Sequence, residues 1–384
     1  MEEKYMRRAI ELAKLGIGKV NPNPLVGAVI VKDGKIIGEG WHERYGELHA
    51  ERNALKNAKE DVKGADIYVT LEPCCHTGKQ PPCTEAIIES GIKRVIIGSA
   101  DPNPVVNGGG VKILREAGIE VIEGFLKDEC DAINPVFLHY IRKKNPYVLM
   151  KYAMTMDGKI AAKTGASRYV SGEESRAEVQ RLRNEYKGIM VGIGTVLADD
   201  PMLNCRIEGG RNPIRIVCDS RLRIPENSKL VNTAKDIETV VITADPQRKR
   251  VEITIDDLQD TEMSGEKKMR VLLDKGVKIL NYPSSGGSQV NLKEAVAALG
   301  KMGIDGILLE GGGTLNESML KEDLVQEMRI FLAPKVFGGK AKSPVEGIGV
   351  NEPSEAKRFI WKDVKKIGKD LMITAFPDKS EGEC

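Results

Sequence analysis

Several things are missing from this chain, and each absence narrows what it does. No apolar run approaches the roughly eighteen residues that a membrane span requires. The N-terminus, MEEKYMRRAIELAK, is charged and amphipathic, without the apolar centre and small-residue cleavage site of a secretory signal. Neither sign of charge dominates: 58 Lys and Arg stand against 56 Asp and Glu, a formal net charge of +2, so there is no global case for a nucleic-acid partner. The seven cysteines, an odd number scattered through 384 residues, do not read as a disulfide framework. A GxGxxG run in a strand-to-helix setting is also absent, which argues against an ordinary Rossmann dehydrogenase. Together these absences predict a soluble, cytoplasmic protein.

What is present centres on residues 49 to 83, HAERNALKNAKEDVKGADIYVTLEPCCHTGKQPPC. His49, Cys74 and Cys83 offer one nitrogen and two sulfurs to a zinc ion, and three protein ligands leave a fourth position for water, as catalytic zinc sites do. Two residues after His49 stands Glu51, on the same first turn of a helix expected to begin there. Zinc deaminases of nucleobases carry HxE followed by PCxxC, the glutamate serving as acid and base. The first half is here as HAE, but eight residues separate Cys74 from Cys83 instead of two. A closed structural zinc site would take a fourth Cys or His. Cys75 and His76 stand near enough, but such a site has no use for Glu51.

At this length two domains are expected, with a boundary near Asn145. Residues 3–16 place Tyr5, Met6, Ala9, Ile10, Leu12 and Ala13 at helical spacing. VGAVIV and KIIGEG read as strands joined at Asp33-Gly34, a hairpin signal. Asn23, between two prolines, is placed to hydrogen-bond a heterocycle or to serve turn chemistry alone. His42 is expected to support the site and not to ligate. Strand 65–72 delivers Pro73 and Cys74, and a helix after Cys83 closes at Gly91. The turn-rich Asp101-Pro-Asn-Pro and Asn107-Gly-Gly-Gly follow on the same edge. This alternation predicts an α/β sandwich.

Taken together, NPNPLVGAVIV, HAE and LEPCCHTGKQPPC resemble the deaminase half of the bifunctional riboflavin-biosynthesis deaminase/reductases, and the long cysteine spacing is similar to that family's form. The resemblance implies a cytidine-deaminase-like α/β/α sandwich over residues 1–145. It implies that His49, Cys74 and Cys83 bind zinc, that Glu51 shuttles protons, and that Asn23, His76 and Lys79 lie near the substrate. Cys75 departs from the serine usual in the family.

Beyond Pro146, PYVLMKYAMTMDGKIAA reads as two strands around the Asp157-Gly158 turn, and Ser171-Gly172-Glu173-Glu174 as a helix start with an acidic first turn. GIMVGIGTVLADDP reads as a strand running into a glycine-rich turn. LLEGGGTLNESML is a strand, three glycines and a helix, whose free amides suit a phosphate; a plain structural turn is the alternative. KYAMTMDGKIAAKTGASRYVSG, VGIGTVLADDPMLNCR, LLEGGGTLNESML and FLAPKVFGG resemble the reductase half of the same family.

That resemblance implies a dihydrofolate-reductase-like α/β domain over 146–384 that uses NADPH. On it, Ala153, Tyr169, Thr195, Asp199, Gly311, Gly312, Gly313 and Thr314 contact the nucleotide. Lys151, Ser167, Arg183, Leu203, Arg206 and Glu310 contact the substrate, the arginines offering forks that match a phosphate. Tyr169 stands where tryptophan is common and Gln326 where aspartate is. The implied activity is zinc-dependent hydrolytic deamination of 2,5-diamino-6-ribosylamino-4(3H)-pyrimidinone 5′-phosphate, then NADPH reduction of its ribosyl chain to ribityl. No motif encodes the oligomeric state; the apolar runs FLAPKV and DLMITAF suit edge pairing in a homo-oligomer, dimer or tetramer, and equally suit burial within the domain. Two other readings compete: a deaminase of another nucleoside or of a tRNA base with an auxiliary nucleotide-binding domain, and a non-catalytic sensor with structural zinc. The near-neutral charge speaks against tRNA, and Glu51 against the sensor.

Overall fold

A computed structural model describes residues 2–78, 80–248, 252–258, 264–285 and 287–378. The chain divides into two compact units, Met1–Lys144 and Asn145–Cys384. No helix among the described residues is long and apolar enough to cross a membrane.

The first unit runs α1 (Glu3–Ala13), β1 (Gly27–Lys32), β2 (Lys35–Trp41), α2 (Ala50–Lys56), β3 (Asp66–Leu71), α3 (Cys83–Glu89), β4 (Arg94–Ser99), α4 (Gly109–Glu116), β5 (Glu120–Ile122), α5 (Lys127–Asp131) and α6 (Pro135–Lys143). Its five strands lie in the order β2-β1-β3-β4-β5, with β3, β4 and β5 parallel and β1 antiparallel to both neighbours. At the hairpin, Asp33 and Gly34 both take positive φ, 49° and 75°, the two-residue turn whose twist suits paired strands.

Strand residues alternate between the two faces of this sheet. Val29, Val31, Tyr68 and Ile96 meet Met6, Ile10 and Cys130 from α1 and α5. Ala28, Ile30, Ile67 and Val69 meet Ala50, Ala54, Ile87 and Leu114 from α2, α3 and α4. The result is an α/β/α sandwich, and the six apolar residues of α1 are all buried. Truncating fully buried Met6 to alanine costs about 2–5 kcal/mol.

The second unit runs β6 (Tyr147–Thr155), α7 (Glu173–Glu185), β7 (Gly188–Gly192), α8 (Ile193–Asp199), β8 (Ile214–Cys218), α9 (Lys229–Asn232), β9 (Thr239–Thr243), β10 (Glu252–Ile253), α10 (Ser264–Asp274), β11 (Val277–Asn281), α11 (Leu292–Lys301), β12 (Gly306–Leu309), α12 (Gly313–Lys321), β13 (Glu327–Ala333), β14 (Phe359–Ile367) and β15 (Asp370–Pro377). Ten strands form one sheet, β10-β11-β9-β8-β7-β12-β6-β13-β15-β14. The seven from β11 to β13 are parallel, so their carboxyl ends share one edge. Val148, Met190, Ile216, Val240 and Ile307 build the core with α11 and α12.

Three local expectations change. No second strand follows Asp157-Gly158, because the Asp157 carboxylate is engaged by the N–H groups of Phe337 and Gly338 at 3.1 and 2.6 Å, and residues 159–162 run as a loop. The turn expected after β7 is α8, which begins at once with Gly192 as its N-cap. At α7 the N-cap is Gly172, and distant Asp370 supplies the acceptor, taking the Gly172 N–H at 2.7 Å and the Ser175 hydroxyl at 2.5 Å.

Candidate functional sites

In the first unit the chain delivers three donors to one point. His49 immediately precedes α2, Cys74 follows β3, and Cys83 opens α3. Their ligand atoms all lie within 4.8 Å of one another. His49 Nδ1 stands 3.4 Å from each sulfur, and the Cys83 N–H donates to the Cys74 sulfur at 3.3 Å. The Cys83 thiol and His49 hold the Cys74 thiol down to about 4 against the opposing effect of burial, which favours the thiolate that binds metal. One imidazole and two sulfurs converging in this way fit a zinc ion. Cys75 is outside the cluster, its sulfur 3.7 Å from the Val105 carbonyl.

Glu51 sits on the first turn of α2, only 3% exposed. Burial first, then the Cys74 sulfur, raises its carboxyl above the ordinary range. A cavity of about 250 Å³ opens beside it, lined by Asn23, His49, Cys74, His76, Asp101 and Asn103 among others. Asn23 donates its side-chain amide to His42 Nε2 at 3.1 Å, and His42 Nδ1 donates to the Leu48 carbonyl at 3.0 Å. Burial lowers the His42 pKa, which keeps the ring neutral for this one-donor, one-acceptor role. Among the described residues, the buried His76 Nδ1 has no partner. Lys79 lies outside the described residues.

Sequence reasoning passed over Glu72. Its buried carboxylate accepts the N–H groups of Gly108, Gly110 and Val111 at 3.1, 3.0 and 3.3 Å, and that of Asp101 at 3.4 Å. It thus satisfies the free amides at the start of α4 and fixes the loop bearing Asp101 and Asn103. The three glycines fit this clasp: Gly108 takes φ 82°, and a Cβ on Gly110 would stand 2.2 Å from the Pro73 carbonyl. The available signal was a carboxylate at a strand end in a chain that later supplies a glycine-rich helix start.

The second unit holds a larger cavity, about 1350 Å³, along the carboxyl edge of its parallel strands. Lys151 and Ala153 reach it from β6, Ser167 and Tyr169 from the loop before α7, Thr195 and Asp199 from α8, and Glu310 to Thr314 from the turn after β12. This is where open α/β sheets bind ligands. Gly311 and Gly312 take φ of 104° and 98°, open to glycine at little cost. Tyr169 is 63% exposed, with the Arg176 guanidinium 4.2 Å over its ring.

Arg183, Leu203 and Arg206 are not among the residues lining this cavity. The Arg183 fork, expected to grip a phosphate, is committed to Glu310 at 2.7 and 2.9 Å and to the Asn204 carbonyl at 3.1 Å. Leu203 is buried, and Arg206 is exposed with its backbone N–H on Gln180. Lys151 Nζ stands 3.6 Å from Glu310. Burial alone would raise the Glu310 carboxyl, but Arg183 and Lys151 bring it down to about 2. Gln326 pairs by side chain and backbone with Val148, at 2.7 and 3.0 Å, and so anchors the start of β13.

Comparison with known proteins agrees with both halves. A family model described as the cytidine and deoxycytidylate deaminase zinc-binding region matches residues 1–99, and one described as the RibD C-terminal domain matches residues 146–373. The chain is 51% identical to the riboflavin biosynthesis protein RibD of Actinobacillus pleuropneumoniae, over 96% of this chain and 93% of that one. It is 40% identical to RibD of Aquifex aeolicus, over 97% and 98%. Among solved structures, the Thermotoga maritima diaminohydroxyphosphoribosylaminopyrimidine deaminase/5-amino-6-(5-phosphoribosylamino)uracil reductase matches with a TM-score of 0.82 at 38% identity, covering 98% of each chain. RibD of Acinetobacter baumannii matches with a TM-score of 0.83 at 35% identity, again over 98% of each.

Proposed function

The chain belongs to the RibD family of riboflavin biosynthesis, a deaminase and a reductase in one polypeptide, and from that premise we propose how its residues divide the work. Residues 1–145 carry the deaminase and 146–384 the reductase. The substrate is 2,5-diamino-6-ribosylamino-4(3H)-pyrimidinone 5′-phosphate, and its deaminated product goes on to the second site. The two cofactors are zinc and NADPH.

His49, Cys74 and Cys83 would hold the zinc, which would supply a water of lowered pKa. Glu51, buried on the first turn of α2, is the acid and base: it takes a proton from water and gives it to the ring nitrogen, then takes the proton of the added hydroxyl and gives it to the departing amine. Asn23, steered by His42, offers its free carbonyl oxygen to the heterocycle, and the unpartnered His76 Nδ1 offers a second polar contact. Lys79 completes the substrate-binding set. The observation that carries this reading is the convergence of one imidazole and two sulfurs, with the buried Glu51 on the helix turn that His49 opens.

In the second unit bound NADPH would supply the hydride, and solvent the proton, for reduction of the ribosyl carbon of the deaminated pyrimidine to the ribityl level. The protein's part is to position the two reactants. Ala153, Tyr169, Thr195, Asp199 and the turn Gly311 to Thr314 take the nucleotide, the turn presenting amides at the N-terminus of α12. Lys151, Ser167 and Glu310 face the substrate; Arg183, Leu203 and Arg206 complete this set, Arg183 by fixing Glu310.

Six unpaired cysteines among the described residues support a reducing, cytoplasmic location. A homo-oligomer, dimer or tetramer, belongs to the same reading and draws support from Ile360, Trp361 and Val364 left exposed on the outer strand β14; light scattering tests it. The site assignment is tested with Glu51→Gln: metal analysis is expected to show zinc retained while ammonia release falls about 10²- to 10⁴-fold. Normal turnover in that variant removes Glu51 from its role.

A further inference from the structure

Beyond the glycine turn, two cations in the large cavity have no assigned task. Arg221 and Arg223 line it from the segment that follows β8. That segment is built to present them. The Asp219 carboxylate, itself fully buried, accepts the Ile224 N–H at 2.7 Å, and the Leu222 N–H donates to the Asp219 carbonyl at 3.0 Å. Leu222 and Ile224 are buried, so residues 221 and 223 are both exposed. Among the described residues no ion pair or side-chain hydrogen bond engages either guanidinium. Of the lysines that line the cavity, Lys293 pairs with Glu322 at 3.0 Å and Lys151 stands by Glu310, while Lys321 and Lys342 each offer a single amine and not a planar fork.

Their place on the sheet supplies the second argument. The phosphate-type turn follows β12, and β7 lies between β12 and β8. Two strand steps amount to about 10 Å, the reach of a ribose that carries its own phosphate. A nucleotide whose diphosphate rests at the α12 N-terminus therefore brings its adenosine ribose toward β8. Two unpaired guanidinium forks suit a phosphate monoester there, since each offers paired donors in a fixed plane.

Resting on the reductase reading above, we propose that Arg221 and Arg223 bind the 2′-phosphate of the reducing dinucleotide and set the preference for NADPH over NADH. The pyrimidine substrate also carries a phosphate, so the test separates the two sources. In the full-length protein, Arg221→Gln/Arg223→Gln is compared with the unaltered chain in kcat/KM for NADPH and for NADH. Calorimetry gives the affinity for adenosine 2′,5′-bisphosphate against 5′-AMP. Both side chains are exposed and unpartnered, so the melting temperature is expected to hold.

The expected result is a fall of roughly tenfold or more in kcat/KM for NADPH, through KM. The ratio of NADPH to NADH efficiency moves toward one, and the bisphosphate loses its advantage over 5′-AMP. Arg221→Lys/Arg223→Lys recovers part of the ratio, because charge remains where the fork is lost. A ratio unchanged in the glutamine variant overturns the proposal, as does an effect confined to the KM of the pyrimidine. Bisphosphate binding needs no turnover. An unaltered protein that prefers it to 5′-AMP yet oxidises neither cofactor therefore removes the reductase reading and leaves this site standing.

Discussion

Glu310 and Arg183 grip each other through two parallel hydrogen bonds of 2.7 and 2.9 Å, with Lys151 3.6 Å from the same carboxylate. The pair is largely buried, the two side chains being 8% and 13% exposed. Removing one member of such a pair leaves an uncompensated charge, at a cost of about 3–5 kcal/mol. Glu310→Gln is expected to lower the stability of the second unit by that order in chemical denaturation, and to impair NADPH oxidation.

The same pair carries a pH signature. The Glu310 carboxyl is held at about 2 in the folded chain, against about 4.3 when unfolded. Its contribution is therefore complete above the unfolded value and is lost as pH falls from about 4.3 through 2. Glu310→Gln is expected to flatten the decline in melting temperature across that window; an unchanged slope would show that the pair adds nothing there.

Glu72 clasps the α4 start from the end of β3, and a neutral amide cannot accept from four backbone donors as a carboxylate does. Glu72→Gln is expected to destabilise the first unit by about 1–3 kcal/mol. The KM of deamination should rise, because the loop bearing Asp101 and Asn103 loosens. Unchanged stability and KM would reduce Glu72 to a bystander.

Cys75 stands beside Cys74 in sequence but outside the donor cluster in space. Cys75→Ser is expected to keep the zinc stoichiometry and the deamination rate, whereas Cys74→Ser loses both. A Cys75→Ser protein depleted of zinc would make Cys75 a ligand.

Much of this was legible from local pattern. The six apolar residues of α1, the Asp33-Gly34 turn and the donor set His49, Cys74 and Cys83 are each readable from spacing or residue type. What escaped depends on partners far along the chain. Asp370 caps α7 across 198 residues, Glu72 meets Gly110 across 38, and Arg183 meets Glu310 across 127. Arg215 shows the same limit. It lies fully buried at the second position of β8, its guanidinium satisfied by Thr233 and Thr239 hydroxyls and the Leu230 and Ile237 carbonyls. No periodicity marks that arginine as core.

On this one chain deamination is expected to come first and reduction second. Purified, zinc-loaded protein given the diaminopyrimidinone ribosylamino phosphate with NADPH is followed for ammonia and for NADPH absorbance together. Ammonia release is expected ahead of NADPH oxidation, and NADPH oxidation by Glu51→Gln only when deaminated substrate is supplied. NADPH oxidation without prior ammonia release, or either signal alone in the unaltered protein, would contradict it.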